Sequence, residues 1–156
     1  MVKEANNVRS DKTSTSEMMR RLLKTKSIVR FLKHFDRQMM YVTFDTYITE
    51  LCISKNIIPE RVIIKGGIHR TYGHQLFIGK RKPSRDKVIQ LAFGFMLSID
   101  ETQELLQVAR KSQLYPRIKR DAAIMYALER GVSITDFQNM LAELQLPLLG
   151  KEDRYE

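Results

Sequence analysis

Apolar residues recur every three or four positions along this chain from Met18 to Leu144, and nowhere do they alternate with polar ones in the manner of a strand. The pattern predicts an all-α protein. Ser14 and Glu17 have capping-box spacing ahead of Met18, Met19, Leu22 and Leu23, which share a helical face. Ser27 opens a second helix with Ile28, Phe31, Leu32 and Phe35 on its apolar side and Arg30, Lys33 and Arg37 outward. The periodicity restarts after Thr43 with Phe44, Ile48, Leu51 and Cys52, and stops near Asn56, a residue that tolerates the left-handed conformation past a helix end. Pro59 suits the first position of the next helix, whose inward residues are Val62 and Ile63. Gly66 and Gly67 halt it. Ile68 points back to the core, and residues 69–78 form another short helix with Tyr72, Leu76 and Phe77 inward, closed by Gly79. Ser84 opens a helix carrying Val88, Leu91, Ala92 and Phe95, and the Ser98/Glu101 capping box opens one carrying Leu105, Leu106 and Ala109.

The pattern then repeats. A shift of 35 residues lays Arg85, Asp86, Ile89, Ala92, Ser98, Gln103 and Leu106 on Arg120, Asp121, Ile124, Ala127, Ser133, Gln138 and Leu141. Two copies of a helix, turn and capped helix are too few for a solenoid, so the second copy is expected to extend the core as a helical hairpin. The organisation read from these patterns is a disordered tail over 1–13, basic N-terminal helices over 14–42, a domain over 43–112, a C-terminal hairpin over 113–150 packed on it, and a tail over 151–156.

Charge adds a direction. The formal net charge is +9; residues 1–40 hold ten Lys and Arg against four Asp and Glu, and residues 41–83 hold seven against three. Residues 84–112 are balanced at four against four, and residues 113–156 hold six against seven. All the excess lies in the N-terminal half, as suits a surface for a polyanion or an acidic partner. The single cysteine, Cys52, sits in an apolar stripe and has no cysteine partner, so neither a disulfide nor a metal site is expected. No membrane span or signal sequence is read, and a cytoplasmic location is expected. His69 and His74, five residues apart, do not share a helix face and are not read as metal ligands. No nucleophile elbow, phosphate-cradling loop or HExxH motif is present, so neither an enzyme nor a cofactor is expected.

The stretch GGIHRTYGHQLFIGKRKPS carries the chemistry. Two short helices, a tight glycine turn and a second helix with a polar outer face have the layout of a helix-turn-helix. His69, Arg70, Thr71, His74 and Gln75 supply side chains of the kind that read base edges, Arg for guanine and Gln for adenine. Lys80, Arg81, Lys82 and Arg85 follow as candidates for phosphate contacts.

Over Ile58–Leu91, and above all in GIHRTYGHQLFIGKRKPSRDKVIQLA, the chain resembles the lambda-repressor or Xre-like class of bacterial and phage regulators. The likeness lies in the small-residue turn, the tyrosine and glutamine of the second helix, the GKRKPS loop and the Leu and Ala of the helix after it. It implies a five-helix DNA-binding domain over residues 44–109, with N-terminal helices and a C-terminal hairpin added. It further implies a homodimeric transcriptional regulator that inserts helix 69–78 into the major groove of double-stranded DNA and works at the nucleoid. The chain departs from the family at Ile58 and Pro59, where a Ser or Thr cap and a Gln are usual, and at Gly73, where an aliphatic residue is usual. By helix propensity alone Gly73 costs about 1 kcal/mol relative to alanine.

Candidate dimer surfaces are the C-terminal hairpin around Phe137, Met140, Leu141 and Leu144, and the N-terminal helices, with ordinary core the alternative expected for most of these apolar positions. A second reading stands beside the first: an adaptor or antitoxin-like protein-interaction module that holds an acidic protein partner through its basic N-terminal helices, with little or no sequence-specific DNA binding. RNA binding ranks below both, because no aromatic stacking platform is visible.

Overall fold

The computed structural model describes residues 13–39 and 43–150, and every regular element among them is helical. The expected tails over 1–13 and 151–156 lie outside the described residues except for Thr13, whose backbone N–H donates to the Gln38 side chain at 2.8 Å. No helix among the described residues is long and apolar enough to cross a membrane. Backbone contacts divide the chain into two units, one up to Tyr41 and one from Val42 onward.

The first unit holds α1 (Thr15–Lys24), α2 (Ile28–His34) and a 3₁₀ turn (Asp36–Gln38). Ser14 and Ser27 cap the two helices by accepting from the Glu17 and Arg30 N–H groups. The apolar stripes are only partly buried. Phe31 and Phe35 are buried, their rings 4.8 Å apart, but α1 buries no residue and Ile28 and Leu32 of α2 are exposed. Two helices this short make a cluster with room for only two phenylalanines.

The second unit holds α3 (Phe44–Lys55), α4 (Pro59–Lys65), α5 (Arg70–Phe77), α6 (Arg85–Phe95), α7 (Ile99–Val108), α8 (Lys119–Glu129) and α9 (Ile134–Glu143). Asn56 ends α3 in the left-handed conformation, Pro59 opens α4, and Ser84, Ser98 and Ser133 cap α6, α7 and α9. Residues 43–112 and 113–150 share one core, built on α6. That helix is buried on all sides from Asp86 to Phe95, because α4, α7 and α9 pack around it. Gly94 makes the α4 contact possible, since a Cβ there would collide with the Val62 carbonyl oxygen. Cys52 is buried in this core, and burial pushes its thiol up to about 11. Phe137 and Leu141, two candidate dimer contacts, are fully buried, while Met140 is half-buried and Leu144 exposed.

The 35-residue repeat is a repeat of structure. Left-handed residues recur in register, Met96 with Gly131 and Arg110 with Gln145. Gln103 exchanges two hydrogen bonds with the backbone of Leu114, and Gln138 exchanges the same two with Leu149. Arg85 donates to Asp121 at 2.9 and 3.0 Å and to the Ser112 and Gln113 carbonyls. Arg120 donates to Asp86 at 2.8 and 2.9 Å and to the Pro147 and Leu148 carbonyls. Asp121 accepts from the Tyr115 N–H, and Asp86 from that of Gly150. Each arginine thus grips the other copy's aspartate. Head-to-tail stacking would pass the contact onward down the chain; reciprocal contacts instead describe two hairpins facing each other across an approximate two-fold axis. Desolvation opposes ionisation of Asp86, but the Arg120 and Gly150 hydrogen bonds and the charges of Arg120 and Arg85 outweigh it, and its carboxyl is held below the usual range.

Candidate nucleic-acid interface

The link from α4 to α5 is four residues long and tightly specified. Gly66 ends α4, Gly67 has φ of +67°, and Ile68 is buried, with its N–H donating to the Ile63 carbonyl at 3.1 Å. A Cβ at Gly66 would stand 2.7 Å from the Gln90 carbonyl oxygen, so only glycine lets the turn lie against α6. Gln90, 2% exposed, donates from its amide to the carbonyls of Gly66 at 3.2 Å and Gly67 at 3.3 Å. Its amide oxygen in turn accepts from Lys87 Nζ at 3.0 Å, and that ammonium lies 5.3 Å from the centre of the Tyr72 ring on α5. The C-terminal hairpin reaches the same place. The α-carbon of Gly150 lies against Lys87 and Gln90, and Ile134 packs beneath Gly67.

Gly73 has a physical reason that its sequence position did not disclose. It is buried where α5 crosses α4, and a Cβ on it would stand 2.6 Å from Ile63 Cγ2 and 2.7 Å from Cγ1. The missing side chain allows the close crossing, which offsets the propensity cost read from the sequence.

Eight of the nine candidate contact residues gather on α5 and the loop after it. His69, Arg70 and Thr71 are exposed at the start of the helix, and His74 and Gln75 are half-exposed one turn on. Lys80, Arg81 and Lys82 are exposed beside them. Arg81 donates to the Gln75 amide oxygen at 2.7 Å and stacks 4.8 Å from the Tyr72 ring centre. His69, Thr71, Gln75 and Arg81 border a polar groove of about 760 Å³ that continues to Gln138 and Gly150. Arg85 is set apart. Its guanidinium donates to Asp121 and two carbonyls and clamps the repeats together, so the phosphate contact expected of it would have to compete with this clamp.

Three residues of this surface escaped sequence reasoning. Glu60, on the first turn of α4, pairs with Arg70 at 2.9 Å and lies 3.6 Å from His74 Nε2. Nothing local marks it, because its partners are ten and fourteen residues away. Lys87 and Gln90 left a trace: the second copy replaces them with Ala122 and Met125, so whatever they do is not shared by the repeat. No group of three or more His, Cys, Asp or Glu among the described residues is arranged to hold a metal ion. No protein-family model, curated protein or solved structure matches the chain.

Proposed function

We propose that the chain is a sequence-specific, double-stranded DNA-binding transcriptional regulator of the lambda-repressor or Xre-like class, acting as a homodimer. In this reading α3–α7 are the five-helix domain, α4 and α5 the helix-turn-helix, and α5 the helix that enters the major groove. One observation carries it: a short helix held by a glycine turn exposes Arg70, Thr71, His74 and Gln75 on the flank of a loop of three exposed cations. Arg and Gln there supply donors for guanine and adenine edges, and Lys80, Arg81 and Lys82 supply phosphate contacts. Glu60 holds Arg70 in the absence of DNA and is the contact a guanine must replace. A single short helix reads few base pairs, so two subunits on half-sites about one helical turn apart supply the remaining specificity.

Selection from a random-duplex pool with the full chain, at about 150 mM salt, tests this reading. It expects an enriched palindrome for the wild type and none for the Arg70→Ala/Gln75→Ala variant. Salt-sensitive binding to any duplex with no enriched motif rejects it.

A further inference from the structure

The first unit holds a surface that the DNA reading does not use. α1 and α2 form a notch of about 530 Å³ floored by Phe31 and Phe35 and edged by Arg20, Arg21, Lys24, Arg30 and His34. Over residues 13–39 there are seven Lys and Arg against two Asp and Glu. Of those two acids Glu17 alone serves the notch cations: Arg20 binds its carboxylate at 2.6 and 2.9 Å and Arg21 at 3.1 Å. These hydrogen bonds draw the Glu17 carboxyl down to about 2, so it stays ionised and neutralises one of the two arginines. Lys24, Arg30 and His34 have no carboxylate within ion-pair distance among the described residues. Elsewhere on the same two helices Leu23 is 78% and Val29 62% exposed, Val29 lining a second notch with Leu32, Lys33 and Asp36, and α1 buries nothing. Charge left unbalanced around an aromatic floor, on helices that also leave large apolar side chains exposed, is the composition of an interaction surface.

We propose that this notch docks an acidic amphipathic segment of a partner protein, its carboxylates meeting Lys24 and Arg30 and its apolar side chains covering the exposed apolar residues of α1 and α2. Charge complementarity sets the sign of the partner, and the apolar component selects its class. A polyphosphate would use the cations and leave Leu23 and Val29 in water. A bilayer would take up those apolar positions and leave the cationic notch unfilled. A segment carrying Asp or Glu among Leu or Phe satisfies both. The proposal does not depend on DNA binding, because none of its residues belongs to the α5 surface.

The full chain is panned against a random peptide library, and the enriched peptides are titrated against four proteins: wild type, Lys24→Glu/Arg30→Glu, Lys24→Gln/Arg30→Gln and Thr71→Ala/Gln75→Ala. Lys24 and Arg30 are exposed and have no carboxylate partner among the described residues, and helix content by circular dichroism checks that each variant is folded. Enriched peptides are expected to combine acidic with aromatic or aliphatic residues. Charge reversal is expected to weaken them about tenfold or more, and neutralisation less. The α5 variant is expected to bind them as wild type does. Failure to enrich any peptide overturns the proposal, as does enrichment of peptides without acids or binding indifferent to both charge variants. So does the outcome in which only a short duplex or phosphatidylserine vesicles respond to the change at Lys24 and Arg30.

Discussion

Gly73→Ala separates helix propensity from packing, because the two give opposite signs. In an ordinary helix interior alanine is favoured over glycine by about 1 kcal/mol. At Gly73 the added Cβ would stand 2.6 Å from Ile63 Cγ2, 2.7 Å from Cγ1 and 2.9 Å from Cδ1. Ile63 is 1% exposed and β-branched, and both of its branches face the glycine, so no rotation of its side chain clears the contact. Relief requires α5 to retreat from α4, against the Gln90 bonds that hold the turn, and overpacking of this kind costs about 1–3 kcal/mol. The net expectation is destabilisation by up to about 2 kcal/mol in urea unfolding, with a fall in affinity for the selected duplex as α5 moves. In an Ile63→Ala background all three opposing atoms are gone, and the same substitution should instead stabilise by about 0.5–1 kcal/mol. Equal effects in the two backgrounds, or a stabilised single variant, would refute the packing argument.

Other expectations follow from the clamps around α6. Arg85→Ala and Arg120→Ala occupy equivalent places in the repeat and should each cost about 2–4 kcal/mol in unfolding free energy, since each leaves a buried aspartate unpaired; a cost confined to one of them would contradict the two-fold reading. Because the folded-state pKa of Asp86 lies below its unfolded value, its contribution is present above the unfolded value, near 3.9, and is lost as pH falls through the folded one. The urea midpoint should therefore drop on acidification, and drop less in Asp86→Asn, which titration between neutral pH and pH about 3 would show. Gln90→Leu removes both hydrogen bonds to the turn and strands the buried carbonyl of Gly66 and the partly buried one of Gly67, a loss of about 1–3 kcal/mol with weaker duplex binding; undiminished duplex affinity in the folded variant would remove Gln90 from the positioning of α5.

The elements that sequence exposed best are those set by local chemistry. Serines at 14, 27, 84, 98 and 133 accept the capping hydrogen bonds their spacing implied, and Asn56 adopts the left-handed conformation read for it. The 35-residue shift was equally plain, since it lies in residue identities. What stayed hidden depends on partners distant in sequence. The reciprocal Arg85–Asp121 and Arg120–Asp86 pairs distinguish facing hairpins from stacked ones, and periodicity is the same for both. Arg85 looked like one more cation of the loop because nothing before Asp121 discloses its acceptor. Gly73 read as a weakness because the atoms that fill its space belong to Ile63. The stripe of α1 was legible as a shared face but not as buried or exposed, because an apolar face is a property of the helix, and burial needs a neighbour broad enough to cover it.

The central claim is that Arg70 reads a guanine from α5. On the selected duplex, each guanine is replaced in turn by 7-deazaguanine, which lacks the N7 acceptor, and affinity is measured for wild type and Arg70→Ala. The account predicts one position per half-site where the base change costs the wild type about 1–3 kcal/mol and costs Arg70→Ala almost nothing. Additive losses at every guanine would mean that Arg70 touches no base, and would contradict it.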